Sequence, residues 1–189
     1  MFSVRIHGRG GQGVVTAAEL LSAAAFAEGL EAQAFPSFGS ERMGAPVVAF
    51  CRIDTKRIRL REPIAEPDAV VVQDPTLLHH VDVFGGLTQD GCMLINSTRT
   101  IAELGLAELH ERHHPERVIA LPASEIARVC LGRPIPNVAL LGALAALTSV
   151  ISLQSLEAVV KERFSGTAAA GNLAAARRAA AQTAELCHA

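Results

Sequence analysis

The stretch that decides the fold consists of three segments, Phe2-Ser-Val-Arg-Ile-His7, Gly8-Arg-Gly-Gly-Gln-Gly13 and Val14-Val-Thr-Ala-Ala-Glu-Leu-Leu21. Apolar residues alternate with polar ones in the first segment, which predicts a strand. The second segment is rich in glycine and predicts a tight turn. The third carries an apolar stripe at helical spacing. Together the three segments predict a Rossmann-like βα unit at the start of the chain.

The glycine-rich turn is a candidate anion site. Gly8, Gly10 and Gly13 have the spacing G-x-G-x-x-G, and Gly11 is an additional glycine. Glycine tolerates positive φ and lets a ligand approach the backbone closely. The helix that follows directs its free N–H groups and its positive dipole end at this turn, which therefore suits a phosphate.

A dinucleotide would require a second signal, namely an acidic residue at the end of the second strand. The predicted second strand runs over residues 31–35 and ends in Phe35-Pro36-Ser37, while its only acidic residue, Glu31, lies at its start. The turn is therefore interpreted as a phosphate site rather than a site for NAD or FAD. A glycine turn that merely allows close packing of strand and helix remains the alternative.

Strand and helix patterns alternate along the rest of the chain. Short apolar runs at residues 47–53, 68–73, 91–95 and 117–121 predict buried strands. Helices are predicted at 100–110, 124–131, 137–149, 153–164 and 167–187, with Asn137 as an N-cap. This order predicts an α/β fold with three layers and a mostly parallel sheet. Residues 1–189 are expected to form a single domain.

Composition excludes several classes of function. The formal net charge is −2, and Trp and Tyr are absent, which argues against binding to nucleic acid. The four cysteines are scattered without a C-x-x-C pair, so neither a zinc site nor an iron–sulfur cluster is expected on this chain. The longest apolar run, residues 138–150, is too short to span a bilayer. We expect a soluble, cytoplasmic protein.

Three further clusters of charged or titratable residues are candidate binding sites. Glu41 and Arg42 lie in the loop after the second predicted strand, where open α/β sheets bind ligands, and Arg42 could neutralise a phosphate. Arg57, Arg59 and Arg61 alternate, which predicts three charges on one face of a strand. They would form either a solvated edge or a patch for an acidic partner. A solvated cluster is favoured over a metal site for the histidines, which are His110, His113 and His114.

Four separate blocks of sequence resemble the gamma subunit of 2-oxoacid:acceptor (ferredoxin) oxidoreductases, in particular the pyruvate/ketoisovalerate type. They are Gly8–Leu21, Gln33–Val47, Glu66–Leu78 and Pro136–Ala143. In the loop that resembles S-F-G-x-E-R-R-G-A-P, Met43 stands where the pyruvate-type branch commonly has a second Arg. A different oxoacid, such as the aromatic phenylglyoxylate, is therefore an alternative to pyruvate.

The resemblance implies a multisubunit complex that oxidatively decarboxylates a 2-oxoacid to an acyl-CoA. Thiamine diphosphate, Mg and 4Fe-4S clusters would lie on partner chains: alpha and beta subunits that bind thiamine, and a ferredoxin-like delta subunit. A flavin/NAD electron-transfer subunit could be added. This chain would help to bind coenzyme A and cover the thiamine site, without catalytic residues of its own. The alternatives are a stand-alone dinucleotide-binding oxidoreductase and a regulatory nucleotide-binding module.

Carried over residue by residue, the resemblance implies two groups of site residues. The turn residues would line the cofactor, and they are Gly8, Gly10, Gly11, Gln12 and Gly13. Four others would lie around the shared site or brace its loops, and they are Ser37, Glu41, Arg42 and Asn137.

Overall fold

A computed structural model describes residues 1–37 and 44–187. Its six strands are β1 Phe2–Arg9, β2 Glu31–Pro36, β3 Pro46–Asp54, β4 Ala69–Val72, β5 Cys92–Asn96 and β6 Val118–Leu121. Its six α-helices are α1 Val14–Ala27, α2 Ala107–Arg112, α3 Ala123–Leu131, α4 Asn137–Thr148, α5 Leu153–Arg163 and α6 Gly166–Cys187. A short 3₁₀ helix, Pro75–His79, follows β4.

The six strands form one sheet in the order β2-β3-β1-β4-β5-β6. β1, β4, β5 and β6 pair in parallel, whereas β3 runs antiparallel to both of its neighbours, β1 and β2. The predicted α/β fold with a mostly parallel sheet is therefore confirmed. The apolar run at residues 47–53 predicts a strand but carries no information about its direction, so the sequence does not anticipate the reversal of β3.

Helices cover one face of the sheet and a thinner layer covers the other. The main core joins β1, β3, β4 and β5 to α1, α3, α4, α5 and α6. Helix α4 is buried over its first nine residues, which explains its nearly continuous apolar sequence. On the opposite face, Val70 and Val72 of β4 pack with Leu77 of the 3₁₀ helix and with Leu104. These are the three layers that the sequence predicted.

Three local predictions were wrong. The helix predicted at 100–110 is interrupted, because the single turn that Thr100 and Glu103 cap ends at Gly105, where φ is 75°, and α2 begins only at Ala107. Residues 57–61 lie in an irregular segment, not on a strand. Asn137 is the first residue of α4 and follows the capping position, Pro136.

Among the residues that the structure describes, no helix is both long enough and apolar enough to cross a membrane.

Candidate functional site

The glycine turn connects the end of β1 to the start of α1. Gly11 has φ 93° and Gly13 has φ 71°, so both occupy the left-handed region that disfavours other residues. Gly13 is the residue that caps α1, and no side chain of the described residues accepts a hydrogen bond from the first N–H groups of this helix. These groups remain available to an anion.

Gly8 allows close packing of α1 against the sheet. A Cβ atom at Gly8 would lie 2.6 Å from Cγ2 of Val14 and 3.2 Å from Cβ of Gln73. The first distance is shorter than real Cβ contacts and the second is tight, so a side chain at Gly8 would force its neighbours to shift. Gly8 therefore allows close packing of strand and helix, which is the alternative interpretation of the whole turn. Gly11 and Gly13 shape the outer part of the turn.

The Gln12 side chain is occupied by the turn itself. Its Oε1 accepts a hydrogen bond from the Arg9 main chain at 2.8 Å, and its Nε2 donates to Oδ2 of Asp74 at 3.0 Å. Both ends of the amide are thus engaged within the protein. Gln12 holds the turn against the segment that follows β4, a role that its place in the glycine motif did not predict.

Asp74 is the centre of this bracing. Its Oδ2 lies 3.2 Å from Nε of Arg9, and its Oδ1 accepts hydrogen bonds from the main chain and the hydroxyl of Thr76 at 3.0 and 2.6 Å. Arg9 also donates to the Thr76 hydroxyl at 2.8 Å. Burial opposes the ionisation of Asp74, but the hydrogen bonds from Thr76 and Gln12 and the charge of Arg9 lower its pKa below 3.8.

Residues before β3 are tied to the same turn. The main-chain N–H of Gly10 donates to the Ala45 carbonyl at 2.9 Å, and Nη1 of Arg9 donates to the Gly44 carbonyl at 3.0 Å. Ser37 continues the β2–β3 ladder through its main-chain N–H, which donates to the Val48 carbonyl. The candidates Glu41 and Arg42 lie outside the described residues.

A cavity of about 600 Å³ opens beside the turn. It lies among the helices: Gly11, Gly13 and Thr16 form one wall, the α3–α4 connection another, and the end of α5 with the start of α6 a third. Its remaining lining residues are Cys130, Leu131, Arg133, Ile135, Asn137, Arg163, Phe164, Thr167, Ala168 and Asn172. Among the described residues, this lining contains two arginines and no acidic residue.

Arg133 and Arg163 are exposed, and neither makes a hydrogen bond or ion pair with another described residue. Sequence reasoning missed both. Arg133 lies in Gly132-Arg-Pro-Ile-Pro136 directly before α4, a position that could have been flagged because a connection leading to a helix start often carries ligand groups. Arg163, at the end of α5, has no sequence feature that distinguishes it from a solvated cation.

Asn137 lies where the turn meets the cavity. Its Oδ1 accepts a hydrogen bond from the Val138 main chain at 2.8 Å, and its Nδ2 donates weakly to the Gly13 carbonyl at 3.4 Å. The side chain is only 5 % exposed and touches the place where a Cβ of Gly13 would be. Of the residues predicted from the sequence, the structure thus brings Gly11, Gly13 and Asn137 together in one cavity wall.

The described residues contain no group of three His, Cys, Asp or Glu side chains able to hold a metal ion. His114 instead pairs with Asp90 and Glu116 at 3.6 and 3.7 Å on the surface. Burial raises the pKa of the Cys51 and Cys92 thiols to about 12, so both are inert at neutral pH.

The fold and the site define an α/β protein with a glycine turn and a cationic cavity suited to a phosphate-bearing ligand. Residues 3–182 match the family model for pyruvate ferredoxin/flavodoxin oxidoreductase. The chain is 48 % identical over 183 residues to the "pyruvate/ketoisovalerate oxidoreductases common subunit gamma" of Pyrococcus abyssi, covering 97 % of each chain.

Two solved structures are also similar. Pyruvate oxidoreductase subunit PORC from Thermotoga maritima superposes with a TM-score of 0.81 at 34 % identity, covering 95 % of each chain. The 2-oxoglutarate:ferredoxin oxidoreductase of Magnetococcus marinus, solved with 2-oxoglutarate, coenzyme A and succinyl-CoA bound, shares the fold with a TM-score of 0.73 at 21 % identity. That alignment covers 97 % of this chain and 31 % of the other.

The chain belongs to the pyruvate ferredoxin/flavodoxin oxidoreductase family. Within it, the chain is a gamma subunit, one component of a multisubunit oxidoreductase.

Proposed function

We propose that this gamma subunit helps to bind coenzyme A in a complex that converts a 2-oxoacid to an acyl-CoA and CO₂, and that it covers the thiamine site of its partners. The observation that carries the proposal is the cavity beside the glycine turn, whose described lining has two arginines and no acidic residue. Coenzyme A is a ligand with several phosphates, and the Magnetococcus enzyme of the same fold was solved with it bound.

The physical basis is the positive charge of two arginines that pair with no carboxylate of the described residues. Arg133 and Arg163 can each donate several hydrogen bonds to phosphate oxygens. The cavity is also lined by Gly13 at the N-terminus of α1 and by Thr167 and Ala168 in the first turn of α6. Helix N-termini add partial positive charge and free N–H groups to such a site.

The predicted site residues then take different roles. Gly11, Gly13 and Asn137 would contact the ligand from the cavity wall. Gly8, Gly10 and Gln12 would fix the shape of the turn, consistent with their contacts to α1, to residue 45 and to Asp74. Ser37, Glu41 and Arg42 remain proposed as part of the loop next to the shared site.

We assign thiamine diphosphate, Mg and 4Fe-4S clusters to partner chains, namely thiamine-binding alpha and beta subunits and a ferredoxin-like delta subunit. Thiamine diphosphate would supply the chemistry that cleaves the bond between the carboxylate and the carbonyl carbon. The contribution of this chain is to position coenzyme A and exclude water from the shared site. A further flavin/NAD subunit would determine the final electron acceptor.

Pyruvate is the first candidate substrate, because the relatives with 46–48 % identity are named for pyruvate or ketoisovalerate. Met43, in place of a second Arg, keeps an aromatic 2-oxoacid such as phenylglyoxylate as the second candidate. A panel of 2-oxoacids tested on the native complex distinguishes the two.

The test of the proposal is the double variant Arg133→Ala/Arg163→Ala in the assembled complex, assayed by coenzyme-A-dependent dye reduction. A phosphate contact from a partly exposed arginine contributes about 1–2 kcal/mol, so the KM for coenzyme A should rise about 10- to 1000-fold. The KM for the 2-oxoacid should stay unchanged. Arg128→Ala is the matched control, since Arg128 pairs with Glu125 on the surface of α3 outside the cavity.

An unchanged KM for coenzyme A in the double variant would refute the assignment of this cavity. The alternative functions, a stand-alone dinucleotide-binding oxidoreductase or a regulatory nucleotide-binding module, predict that the purified chain alone binds NAD, FAD or a mononucleotide. β2 begins with its acidic residue, Glu31, and ends at Pro36, so this strand supplies no carboxylate for a ribose at the ligand edge.

A further inference from the structure

The segment after β3 carries a concentrated positive charge. Lys56, Arg57, Arg59 and Arg61 are four of the 17 lysines and arginines of the chain, and they fall within six residues. All four are exposed, and none of their side chains forms a hydrogen bond or an ion pair with a described residue. Residues 56–61 are called the basic segment below.

The basic segment is anchored at its beginning. Asp54, the last residue of β3, accepts a hydrogen bond from the Lys56 main chain at 3.2 Å and pairs with the amino terminus at 3.5 Å. These contacts fix where the basic segment leaves the sheet.

Two buried arginines anchor the chain just beyond the basic segment. Nη2 of Arg52 donates to the Glu62 carbonyl at 2.7 Å, and the guanidinium also lies 5.3 Å from the ring centroid of Phe35. Arg5 donates to the carbonyls of Ile64 at 3.4 Å and Val83 at 2.9 Å. Neither arginine has an ion pair with a described carboxylate.

The hydrogen bonds on either side of the basic segment restrict its conformations, although its positive charges repel one another. A charged surface that is already ordered loses less entropy on binding, and carboxylates of a partner would relieve the repulsion. Leu60, 43 % exposed, lies among the cations and provides an apolar contact. Three of the four cations are arginines, which are enriched in protein interfaces, whereas lysine is depleted.

We propose that the basic segment docks an acidic segment of another subunit of the complex. An acidic protein fits better than nucleic acid, because the whole chain has a net charge of −2 and lacks Trp and Tyr. The inference depends on membership of a multisubunit complex. It is independent of the proposed coenzyme A cavity, which lies among the helices and shares no residue with the basic segment.

The first test is zero-length carbodiimide cross-linking of the native complex, followed by peptide mapping. This reagent joins an amine to a carboxylate in direct contact, so Lys56 should be linked to an Asp or Glu of a different subunit. Cross-links from Lys56 only within its own chain would overturn the proposal.

The second test is the triple variant Arg57→Glu/Arg59→Glu/Arg61→Glu, expressed with an affinity tag in the native cell. Recovery of the subunit identified by cross-linking should fall at least about tenfold, and in the wild type the recovery should decrease as salt is raised. The matched control is Arg99→Glu/Lys161→Glu/Arg178→Glu, which makes the same charge change at three exposed cations elsewhere.

Circular dichroism of both triple variants verifies that each is folded. Equal recovery of all subunits from the two variants would refute the proposal. So would nuclease-sensitive nucleic acid that co-purifies with the wild type and is lost from the Arg57/Arg59/Arg61 variant. The coenzyme A kinetics of the Arg133→Ala/Arg163→Ala complex report separately on the proposed function.

Discussion

Replacing Asp74 with Asn should loosen the glycine turn. The carboxylate accepts three hydrogen bonds, two from Thr76 and one from Gln12, and pairs with Arg9 at 3.2 Å. The variant loses the charge and at least one acceptor, while the donors that remain are partly exposed to water. Hydrogen bonds to charged groups contribute about 1.5–3 kcal/mol each, so we expect a loss of about 2–3 kcal/mol in the free energy of unfolding.

For a chain of this size, that loss corresponds to a decrease in Tm of about 4–12 °C, measurable by circular dichroism of the purified chain. The effect should depend on pH. Because the pKa of Asp74 is lowered in the folded state, its ionised carboxylate stabilises the protein above the unfolded value near 3.8. This stabilisation disappears as the pH falls through the folded pKa, so wild type and variant should converge in acid.

Asp90→Asn is the control for this prediction, since the Asp90 side chain is 87 % exposed and faces His114 on the surface. Its Tm should differ from that of the wild type by less than about 1 °C. Equal Tm values for Asp74→Asn and wild type at neutral pH would refute the bracing role of Asp74. A difference that persists unchanged at low pH would show that the loss is not electrostatic.

Three further predictions concern the core. Gly142→Ala should cost about 1–3 kcal/mol in urea unfolding, because its Cβ would overlap the α6 main chain; a wild-type midpoint would contradict this contact. Burial and the charge of Arg5 lower the pKa of His7 to about 4, so the free energy of unfolding should decrease as the pH is lowered from 6.5 to 4. The variant His7→Gln should show a smaller decrease. Identical pH profiles of wild type and variant would contradict the shift. Cys51 and Cys92 should resist maleimide labelling until the chain unfolds; rapid native labelling would contradict their burial.

Much of the fold could be predicted from local patterns. The run Ala69–Val72 is buried on every residue, and a continuous apolar run is what a strand covered on both faces requires. The direction of β3 could not be predicted, since an apolar run such as residues 47–53 suits parallel and antiparallel strands alike. The helix prediction for residues 100–110 failed for a different reason, because Gly105 adopts a positive φ and ends the turn that Thr100 and Glu103 cap.

The candidate site was predictable only in part. Glycines with positive φ carry a signal in the sequence, and Gly11 and Gly13 do line the cavity. Arg163 carries no such signal, and Arg133 carries only its place directly before α4. The fold alone brings the two arginines into the lining of one cavity. Gln12 lay in the predicted motif, yet its role depends on Asp74, 62 residues further along the chain.

The antiparallel direction of β3 determines where this fold can accept changes in loop length. β2 and β3 form an antiparallel pair, so the end of β2 and the start of β3 lie at the same edge of the sheet. The glycine turn lies at that edge as well. Residues can be inserted into or removed from the connection between β2 and β3 while the ladders on either side keep their register. The scaffold can therefore retain the glycine turn unchanged while the hairpin beside it varies in length and sequence.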